Sequence, residues 1–316
     1  MNNSVLDLVG NTPLVKAKRL LDNPKVELYF KLEGQNPGGS VKDRAAYNMI
    51  KSALDRGDID KNTKLIEATS GNTGIALAMI AGIFGLDIEL VMPENSTIER
   101  VQTMEAYGAK VILTDAEIGI EGSRDYAEEK MAGGDYFMIN QFSNNDNWRA
   151  HYNTTGPEIW DQLDGKVDAV IASQGTGGWV SGAGKFMREK NPEVLLYAVE
   201  PEECPLLSRR GWGPHGIEGI GDGFVPKALD LSLLSGIVTT TTDESIKMAQ
   251  RLAKEEGIFC GISSGVPTTA YSSNISSVTR LPISSHLSWR AKSMSGENKS
   301  SQPCISSIGL YSGVDA

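Results

Sequence analysis

The chain is organised around the stretch Asn36-Pro37-Gly38-Gly39-Ser40-Val41-Lys42-Asp43-Arg44. Its Pro-Gly-Gly turn follows a predicted strand, Val26–Leu32, and Ser40 is predicted to cap the helix that comes next. Lys42 would then lie in the first helical turn, where the positive end of the helix dipole favours a neutral amine over an ammonium. A neutral lysine is a nucleophile towards aldehydes, so the position suits a Schiff base. The alternative interpretation is a surface lysine among solvated charges.

Strands, glycine turns and helices alternate along most of the chain. Lys64–Ala68 and Asp87–Met92 are predicted strands that are each followed by a helix, and a second series begins at the apolar strand Val167–Ala172. This order is typical of parallel sheets that are covered by helices on both faces. The predicted fold class is therefore α/β, and the chain is long enough for two lobes.

Composition excludes several classes of function. The net charge of −10 over 316 residues argues against nucleic acid as a partner, because phosphate binding needs a basic surface. The 3 cysteines and 3 histidines are scattered, so we predict neither a disulfide framework, nor a metal site, nor a Ser-His-Asp triad. The sequence shows neither an apolar run long enough to cross a membrane nor a signal pattern, which predicts a cytoplasmic protein without a membrane partner.

A glycine-rich loop, Gly175-Thr176-Gly177-Gly178, lies between a predicted buried strand and a helix. Closely spaced glycines allow backbone amides to approach an anion, and the helix N-terminus adds partial positive charge. The loop is therefore a candidate phosphate site. The alternative is a tight strand-to-helix turn, and a Walker-type nucleotide site is disfavoured because the lysine that such a site needs is missing.

A second polar turn, Thr69-Ser70-Gly71-Asn72-Thr73, also leads from a strand into a helix. Its hydroxyls, amide side chain and backbone N–H groups could hold a carboxylate, or could simply cap the helix. Gln141 ends another predicted strand, at the edge of the sheet where α/β proteins bind ligands. For Gln141 a polar strand end is an equally good interpretation.

A neutral lysine, a phosphate loop and a carboxylate site together fit pyridoxal 5'-phosphate. From about residue 5 to residue 265 the chain resembles the fold-type II pyridoxal-phosphate enzymes of the cysteine synthase (O-acetylserine sulfhydrylase) and cystathionine β-synthase family. The resemblance implies a two-lobed, tryptophan synthase β-like fold. Residues 1–39 and 145–265 would form the large cofactor domain, and residues 40–144 a small mobile domain that closes over the substrate.

The same resemblance implies roles for the motif residues. Lys42 would form the Schiff base with the cofactor and act in catalysis. The other expected cofactor contacts are Asn72, Gly175, Thr176, Gly177, Gly178 and Ser263. The expected substrate contacts are Thr69, Ser70, Gly71, Asn72, Thr73, Gln141 and Gly219, the last within a closing loop at Gly216–Gly221.

The implied reaction is a β-replacement that forms L-cysteine. An activated serine such as O-acetyl-L-serine would lose its β-substituent to give an α-aminoacrylate, and sulfide would add at the β-carbon. The resemblance also implies a homodimer, and a serine acetyltransferase tail is a possible partner in the active site. A catalytically impaired binding scaffold is the alternative from a different class of function.

Three positions depart from the family pattern. Asp222 stands where cysteine synthases usually carry a small apolar residue, and a carboxylate there could activate water or repel an anionic sulfur nucleophile. That would favour an L-cysteine lyase, or desulfhydrase, which releases hydrogen sulfide; the alternative is a solvated loop aspartate. Trp179 replaces a hydroxyl residue at the end of the phosphate loop, and Gln174 is larger than the usual residue before that loop.

The tail, residues 266–316, is the last departure. Relatives continue with an alanine-rich helix and then a buried strand, whose end supplies a Ser or Cys to the pyridine nitrogen. The serine-rich tail shows no such pattern, and Cys304 lacks a preceding apolar strand. A frameshifted or replaced C-terminus explains this best, and we predict a poorly ordered tail that weakens the enzyme.

Overall fold

Parallel strands and the helices that join them make up most of the computed structural model. It describes residues 2–272 apart from residues 22, 25 and 210, together with residues 308–310. The described strands are β1 Leu14–Lys16, β2 Tyr29–Lys31, β3 Lys64–Ala68, β4 Ile88–Pro93, β5 Lys110–Thr114, β6 Tyr136–Met138, β7 Ala169–Ser173, β8 Leu195–Pro201, β9 Gly236–Thr240 and β10 Ile308–Leu310. The described α-helices are α1 Lys42–Arg56, α2 Asn72–Phe84, α3 Ile98–Ala106, α4 Gly119–Ala132, α5 Asn145–Ala150, α6 Gly156–Gln162, α7 Gly178–Lys190, α8 Thr242–Arg251 and α9 Ile262–Ser272.

The sheet that positions the site has the order β5-β4-β3-β6, and all of its pairs are parallel. The chain builds β4 and β5 on one side of β3 and then returns to place β6 on the other side. β3 and β4 are buried along nearly their whole length, since α1 and α2 cover one face and α4 covers the other. The reversal of strand order leaves a crevice at the carboxyl end of β3, where open α/β sheets bind ligands.

A second parallel sheet, β7-β8-β9, carries the other half of the site. Helices α6 and α7 pack on one face of it and bury an apolar cluster around Trp179 and Leu196. Strand β9 was not predicted, because it is a short run that follows a long loop rich in glycine and proline.

In a third sheet β2 lies between β1, which is antiparallel to it, and β10, which is parallel. The α/β fold class with helix-covered parallel sheets is confirmed.

The start of α1 differs by one residue from the prediction. Val41 occupies the N-cap position, and its side chain makes no capping hydrogen bond. The Ser40 hydroxyl nevertheless accepts a hydrogen bond from the Lys42 backbone N–H, at 3.2 Å. Val41 already has helical backbone angles (φ −59°, ψ −23°), so Ser40 stabilises the turn from one position earlier than expected. Lys42 lies in the first turn, as predicted.

The helix between residues 145 and 162 is interrupted. A π-helical turn, His151–Thr155, separates α5 from α6 where one continuous helix was predicted. Helix α7 crosses this segment closely, since a Cβ on Gly182 would lie 2.0 Å from the Trp148 carbonyl oxygen. The side chain of His151 is buried, and its Nδ1 lies 2.9 Å from the Thr155 hydroxyl.

The prediction of a poorly ordered tail from residue 266 is wrong for its first residues. Helix α9 continues to Ser272, and Val266 and Ala270 are 0% and 2% exposed in an apolar cluster with β8 and β9. Two well-placed apolar residues are enough to anchor a segment whose composition is mostly polar. Strand β10 shows that residues 308–310 also pair with the sheet. Residues 273–307 and 311–316, including Cys304, lie outside the described residues.

Candidate active site

A cavity of about 480 Å³ lies at the carboxyl ends of both parallel sheets. Residues that directly follow β3, β4, β6 and β7 line it, together with the start of α1 and the loop between β8 and β9. Among the predicted site residues, those that line the cavity are Lys42, Thr69–Thr73, Gln141, Gly175–Gly177, Gly219, Asp222 and Ser263. The fold therefore gathers segments as far apart in the chain as Lys42 and Ser263.

Lys42 lines the cavity as the first residue of α1, and a buried ionic network holds that end of the helix. Arg44 pairs with Glu33 at 2.7 Å and with Glu158 at 2.6 Å. Lys31, whose side chain is fully buried, pairs with the second oxygen of Glu158 at 2.7 Å. Burial acts to raise the pKa of Glu158, but its cationic partners hold that pKa down at about 2. The network fixes the direction in which α1 enters the cavity.

The turn Thr69–Thr73 supplies the N-terminus of α2 to the cavity. Gly71 is the N-cap residue, and no side chain caps the helix there, so backbone N–H groups at this end remain available to a ligand. The Thr73 hydroxyl donates to Gln141 Oε1 at 2.8 Å, which joins the turn to the end of β6. A hydroxyl, an amide and a helix N-terminus on one wall form a suitable site for a carboxylate.

The glycine loop has no room for side chains. A Cβ on Gly175 would lie 2.5 Å from the Gly219 carbonyl oxygen, and one on Gly177 would lie 2.5 Å from Leu229 Cβ. Gly177 also has a φ of +78°, which a residue with a side chain rarely adopts. The loop therefore brings backbone N–H groups and the Thr176 hydroxyl to the cavity at the start of α7. Its donors and its close backbone approach fit a phosphate group.

Gly178 is the predicted site residue that does not line the cavity. It lies behind the loop, where a Cβ would be 2.1 Å from Asn147 Oδ1. The Asn147 amide nitrogen donates to the Gln141 carbonyl oxygen at 2.7 Å and to the Thr176 hydroxyl at 3.1 Å. Gly178 thus makes space for a side chain that ties the two halves of the site together. Sequence reasoning missed Asn147, although it lies in the polar stretch after β6.

Four further charged or titratable side chains in the cavity were not predicted, and one of them is Glu218 in the loop between β8 and β9. Arg100 and Arg124 enter from α3 and α4, and His151 from the π-helical turn. Burial holds the pKa of His151 well below its usual value, and the nearby Arg44 and Lys42 charges lower it further. His151 is therefore neutral at pH 7. The two arginines lie on amphipathic helices, where a sequence pattern cannot tell a cavity from solvent.

The residues that depart from the family pattern occupy different places. Burial raises the pKa of the Asp222 carboxyl, which faces the cavity, while Arg124 and Lys42 lower it in part. Trp179 is 5% exposed and packs in the apolar cluster under α7, and its indole nitrogen is buried without a hydrogen-bond partner. Gln174 is buried, and its side-chain amide donates a hydrogen bond to the Gly175 carbonyl oxygen. This bond supports the first residue of the phosphate loop.

Other kinds of site are not seen in the described part of the chain. No group of His, Cys, Asp or Glu side chains among those residues is placed to hold a metal ion. Within the same residues no helix combines the length and the apolar character that crossing a membrane requires.

Comparison with known proteins agrees with this geometry. The model of the family described as "Pyridoxal-phosphate dependent enzyme" matches residues 5–281. Cysteine synthase B of Pseudomonas aeruginosa is 47% identical over 262 residues, which cover 83% of this chain and 85% of that protein. A cysteine synthase of Staphylococcus aureus is 41% identical over 263 residues, covering 83% of this chain and 85% of its own length.

Solved structures extend the likeness beyond residue 265. A hydrogen sulfide-producing enzyme from Fusobacterium nucleatum has a TM-score of 0.85 and 41% identity, with 99% of each chain covered. The cysteine synthase of Entamoeba histolytica has a TM-score of 0.87 and 33% identity, covering 99% of this chain and 88% of that one. The expected fold-type II architecture is confirmed. The chain belongs to the pyridoxal-phosphate dependent enzymes, in the group that contains the cysteine synthases.

Proposed function

We propose that this protein forms L-cysteine from O-acetyl-L-serine, or a similarly activated serine, and sulfide, with pyridoxal 5'-phosphate as its cofactor. One observation carries the proposal. A lysine, a carboxylate site at a helix N-terminus and a glycine-rich phosphate loop line the same cavity, in a chain whose relatives are cysteine synthases. The balanced reaction replaces the acetate of O-acetylserine by sulfide and forms a carbon–sulfur bond at the β-carbon.

In this proposal the cofactor is held at both of its ends. Backbone N–H groups of Gly175–Gly177 and the Thr176 hydroxyl bind the phosphate at the start of α7. Lys42 Nζ would hold the aldehyde end, and Asn72 and Ser263, which also line the cavity, would contact the ring. Pyridoxal phosphate, when bound in this way, supplies an electron sink that makes the α-proton of an amino acid acidic.

The chain's own residues would orient the substrate and move its proton. Thr69–Thr73 and Gln141 hold the carboxylate, which fixes the α-carbon relative to Lys42. Lys42 Nζ would take the α-proton of the substrate and hold it. Residues 40–144 would close against the loop that carries Gly219 and exclude water while sulfide adds.

A second function, the release of hydrogen sulfide from L-cysteine, is favoured by Asp222. Its carboxyl lines the cavity, and burial raises its pKa, so it could take a proton from water near the β-carbon. Water would then replace the thiol, giving serine and hydrogen sulfide. The Fusobacterium nucleatum structure described as a hydrogen sulfide-producing enzyme is one relative with that property. We place this reaction second because the curated relatives are cysteine synthases.

Three further expectations from the family remain proposals. They are a homodimer, a cytoplasmic location and the docking of a serine acetyltransferase tail in the cavity. Light scattering of the purified protein would give its oligomeric state, and a peptide that matches an acetyltransferase C-terminus would test docking by its effect on substrate binding.

The visible spectrum and the products test the function together. Purified protein with pyridoxal phosphate is expected to show a visible band that Lys42→Ala removes and that O-acetylserine shifts. Cysteine should form when O-acetylserine and sulfide are supplied. Cysteine supplied alone should release sulfide more slowly, and a faster release that Asp222→Ala abolishes would favour the lyase. A chain that holds the cofactor but forms neither product would be a binding scaffold.

A further inference from the structure

A buried carboxylate ends the ladder between β3 and β6. The last backbone bond of that pair runs from the Ile139 N–H to the Ile66 carbonyl oxygen, at 3.4 Å. The next two N–H groups turn to the side chain of Glu67 instead. Asn140 donates to Oε2 at 2.7 Å and Gln141 donates to Oε1 at 3.1 Å. Asn140 has a φ of +54°, so this corner is a left-handed turn that the carboxylate holds in place.

The turn at Asn140–Gln141 sets the position of the Gln141 side chain and of its backbone carbonyl. From it, the Gln141 side chain accepts the hydrogen bond from Thr73 at the start of α2, and its carbonyl oxygen accepts one from Asn147. Asn147 in turn contacts Thr176 in the phosphate loop, at 3.1 Å. A single chain of hydrogen bonds therefore runs from Glu67 through Gln141 to both anion-binding walls of the cavity. Glu67 itself does not line the cavity.

Few other side chains could do this. Two neighbouring N–H donors need two acceptor oxygens, and a carboxylate provides both with its two arms. A glutamine would present an NH₂ group to one of the donors, and an apolar residue would leave both donors buried without partners. Glu67 is only 3% exposed, and burial raises its pKa to about 7 although the two N–H bonds and the Arg124 charge lower it. Burying a carboxylate costs free energy unless hydrogen bonds or opposite charges compensate it, and here the two N–H bonds do so in part.

We propose that Glu67 is a positioning residue for the substrate site: it orders the Asn140–Gln141 corner, and through Gln141 it aligns the carboxylate site with the phosphate loop. The inference rests on the proposed function for its substrate and goes beyond it in assigning a residue outside the cavity. Glu67 would set the affinity for the substrate carboxylate. It would take no part in the proton transfer that Lys42 carries out.

The test compares Glu67→Gln and Glu67→Asp with the matched control Glu89→Gln, all in the full-length holoenzyme. Glu89 lies on the neighbouring strand β4, opposite Ile66, and its carboxylate binds Lys110 at 2.7 Å away from the cavity. For Glu67→Gln the KM for O-acetylserine should rise about tenfold or more, as expected for a lost buried charge-assisted bond, while kcat changes less than about threefold. Glu67→Asp keeps the charge but is too short for both donors, so it should raise KM by about threefold. Glu89→Gln should leave both constants unchanged.

Hydrogen exchange gives a readout that does not depend on turnover. In Glu67→Gln the amides of residues 136–147 and 69–76 should exchange faster, while those of α8 remain as in the wild type. A KM within about twofold of wild type in either Glu67 variant would overturn the proposal. So would unchanged exchange at the corner. If Glu67→Gln does not fold, Glu67→Asp decides by the same criteria. Wild-type protein that forms no cysteine would contradict the proposed function, and the exchange comparison would still decide whether Glu67 orders the corner.

Discussion

Arg100 and Glu218 form an ion pair of 2.6 Å between two segments that both line the cavity. Arg100 belongs to α3, and Glu218 belongs to the loop between β8 and β9. Both residues line the cavity, and the carboxylate is the more exposed partner, at 67% against 14% for the arginine. The pair therefore joins α3 to the loop between β8 and β9, two segments that we propose move relative to each other when the site closes.

Loss of this pair should weaken substrate binding without harming the chemistry. Exposed ion pairs are worth about 1 kcal/mol or less, so Glu218→Gln is expected to raise the KM for O-acetylserine about two- to fivefold with little change in kcat. High salt should do the same to the wild type, since it screens exposed charges. Steady-state kinetics at low and high salt measure both effects.

A distant pair provides the control for Glu218→Gln. Arg251 and Glu255 form an exposed pair of 2.8 Å four residues apart at the end of α8, so Glu255→Gln should leave KM unchanged. A Glu218→Gln enzyme whose KM equals that of the wild type at every salt concentration would show that the pair does not contribute to closure.

The sequence predicts the parts of this site that depend on local pattern. The turn at Thr69–Thr73 and the loop at Gly175–Gly178 could be located because each lies between an apolar strand and a helix. Strands β3 and β4 were predictable because each is a short, mostly apolar run that leads into a turn, although each also carries a glutamate. Lys42 was predicted as a site residue because of its position at a helix start, and it lines the cavity.

The remaining parts depend on contacts between distant segments. Glu67 has a role only because β6 pairs with β3, 73 residues along the chain from Glu67 to Asn140. Arg100 meets Glu218 across 118 residues, and neither helical periodicity nor composition indicates that contact. The tail prediction failed for a related reason. Val266 and Ala270 are stabilised by an apolar surface that strands β8 and β9 provide. The composition of the tail carries no information about that surface, because other parts of the chain form it.

The glycine loop should not tolerate even a methyl group at Gly177. An alanine there would take a left-handed φ of +78° and would place its Cβ 2.8 Å from the Leu229 Cα atom, so the loop would have to move. We expect Gly177→Ala to weaken the affinity for pyridoxal phosphate by tenfold or more. Titration of the apoenzyme with cofactor, followed by visible absorbance, measures the dissociation constant.

Gly57→Ala is the control for Gly177→Ala, because it strains the backbone in the same way but lies outside the phosphate loop. Gly57 ends α1 with a φ of +75°, and a Cβ there would meet nothing within 4 Å. Gly57→Ala should therefore cost about 1–2 kcal/mol of stability for the left-handed backbone and leave cofactor affinity unchanged. Equal cofactor affinities in the two variants would argue that Gly177 does not shape the phosphate site.

The ionic network behind Lys42 should be important for stability. Glu158→Gln would leave Lys31 and Arg44 with one anionic partner fewer in a region where both cations are almost fully buried. Removing one member of a buried ion pair typically costs about 3–5 kcal/mol, because the remaining charge stays desolvated. Urea denaturation of the variant should show a loss of about this size in the free energy of unfolding.

The exposed pair on α1 is the comparison for Glu158→Gln. Lys51 and Asp55 are 2.6 Å apart and half-exposed, so Asp55→Asn should change the free energy of unfolding by less than about 0.5 kcal/mol. A Glu158→Gln protein that is no less stable than Asp55→Asn would mean that the network does not hold α1 in place.

Asp43 should make the stability of the protein depend on pH. Its side chain is fully buried, Oδ2 accepts the Gly38 N–H at 2.5 Å, and Oδ1 has no hydrogen-bond partner. Burial raises the pKa of this carboxyl from 3.8 to about 7. Well below pH 3.8 it is protonated in the folded and unfolded states alike, and it adds no pH-dependent penalty. Between pH 4 and pH 7 the unfolded chain ionises first, so stability falls as pH rises, by up to about 4 kcal/mol in total.

Asp43→Asn removes this dependence and keeps the shape of the side chain. Its amide oxygen can accept the Gly38 N–H, and its NH₂ group takes the place of the oxygen that has no partner. The difference in the free energy of unfolding between variant and wild type isolates Asp43 from groups such as His151, which titrate in both proteins. We expect that difference to favour the variant increasingly from pH 4 to pH 7 and to level off above pH 7, as measured by urea denaturation of the two apoproteins. A difference that is constant with pH would mean that Asp43 is ionised in the folded protein at no cost, through a partner for Oδ1.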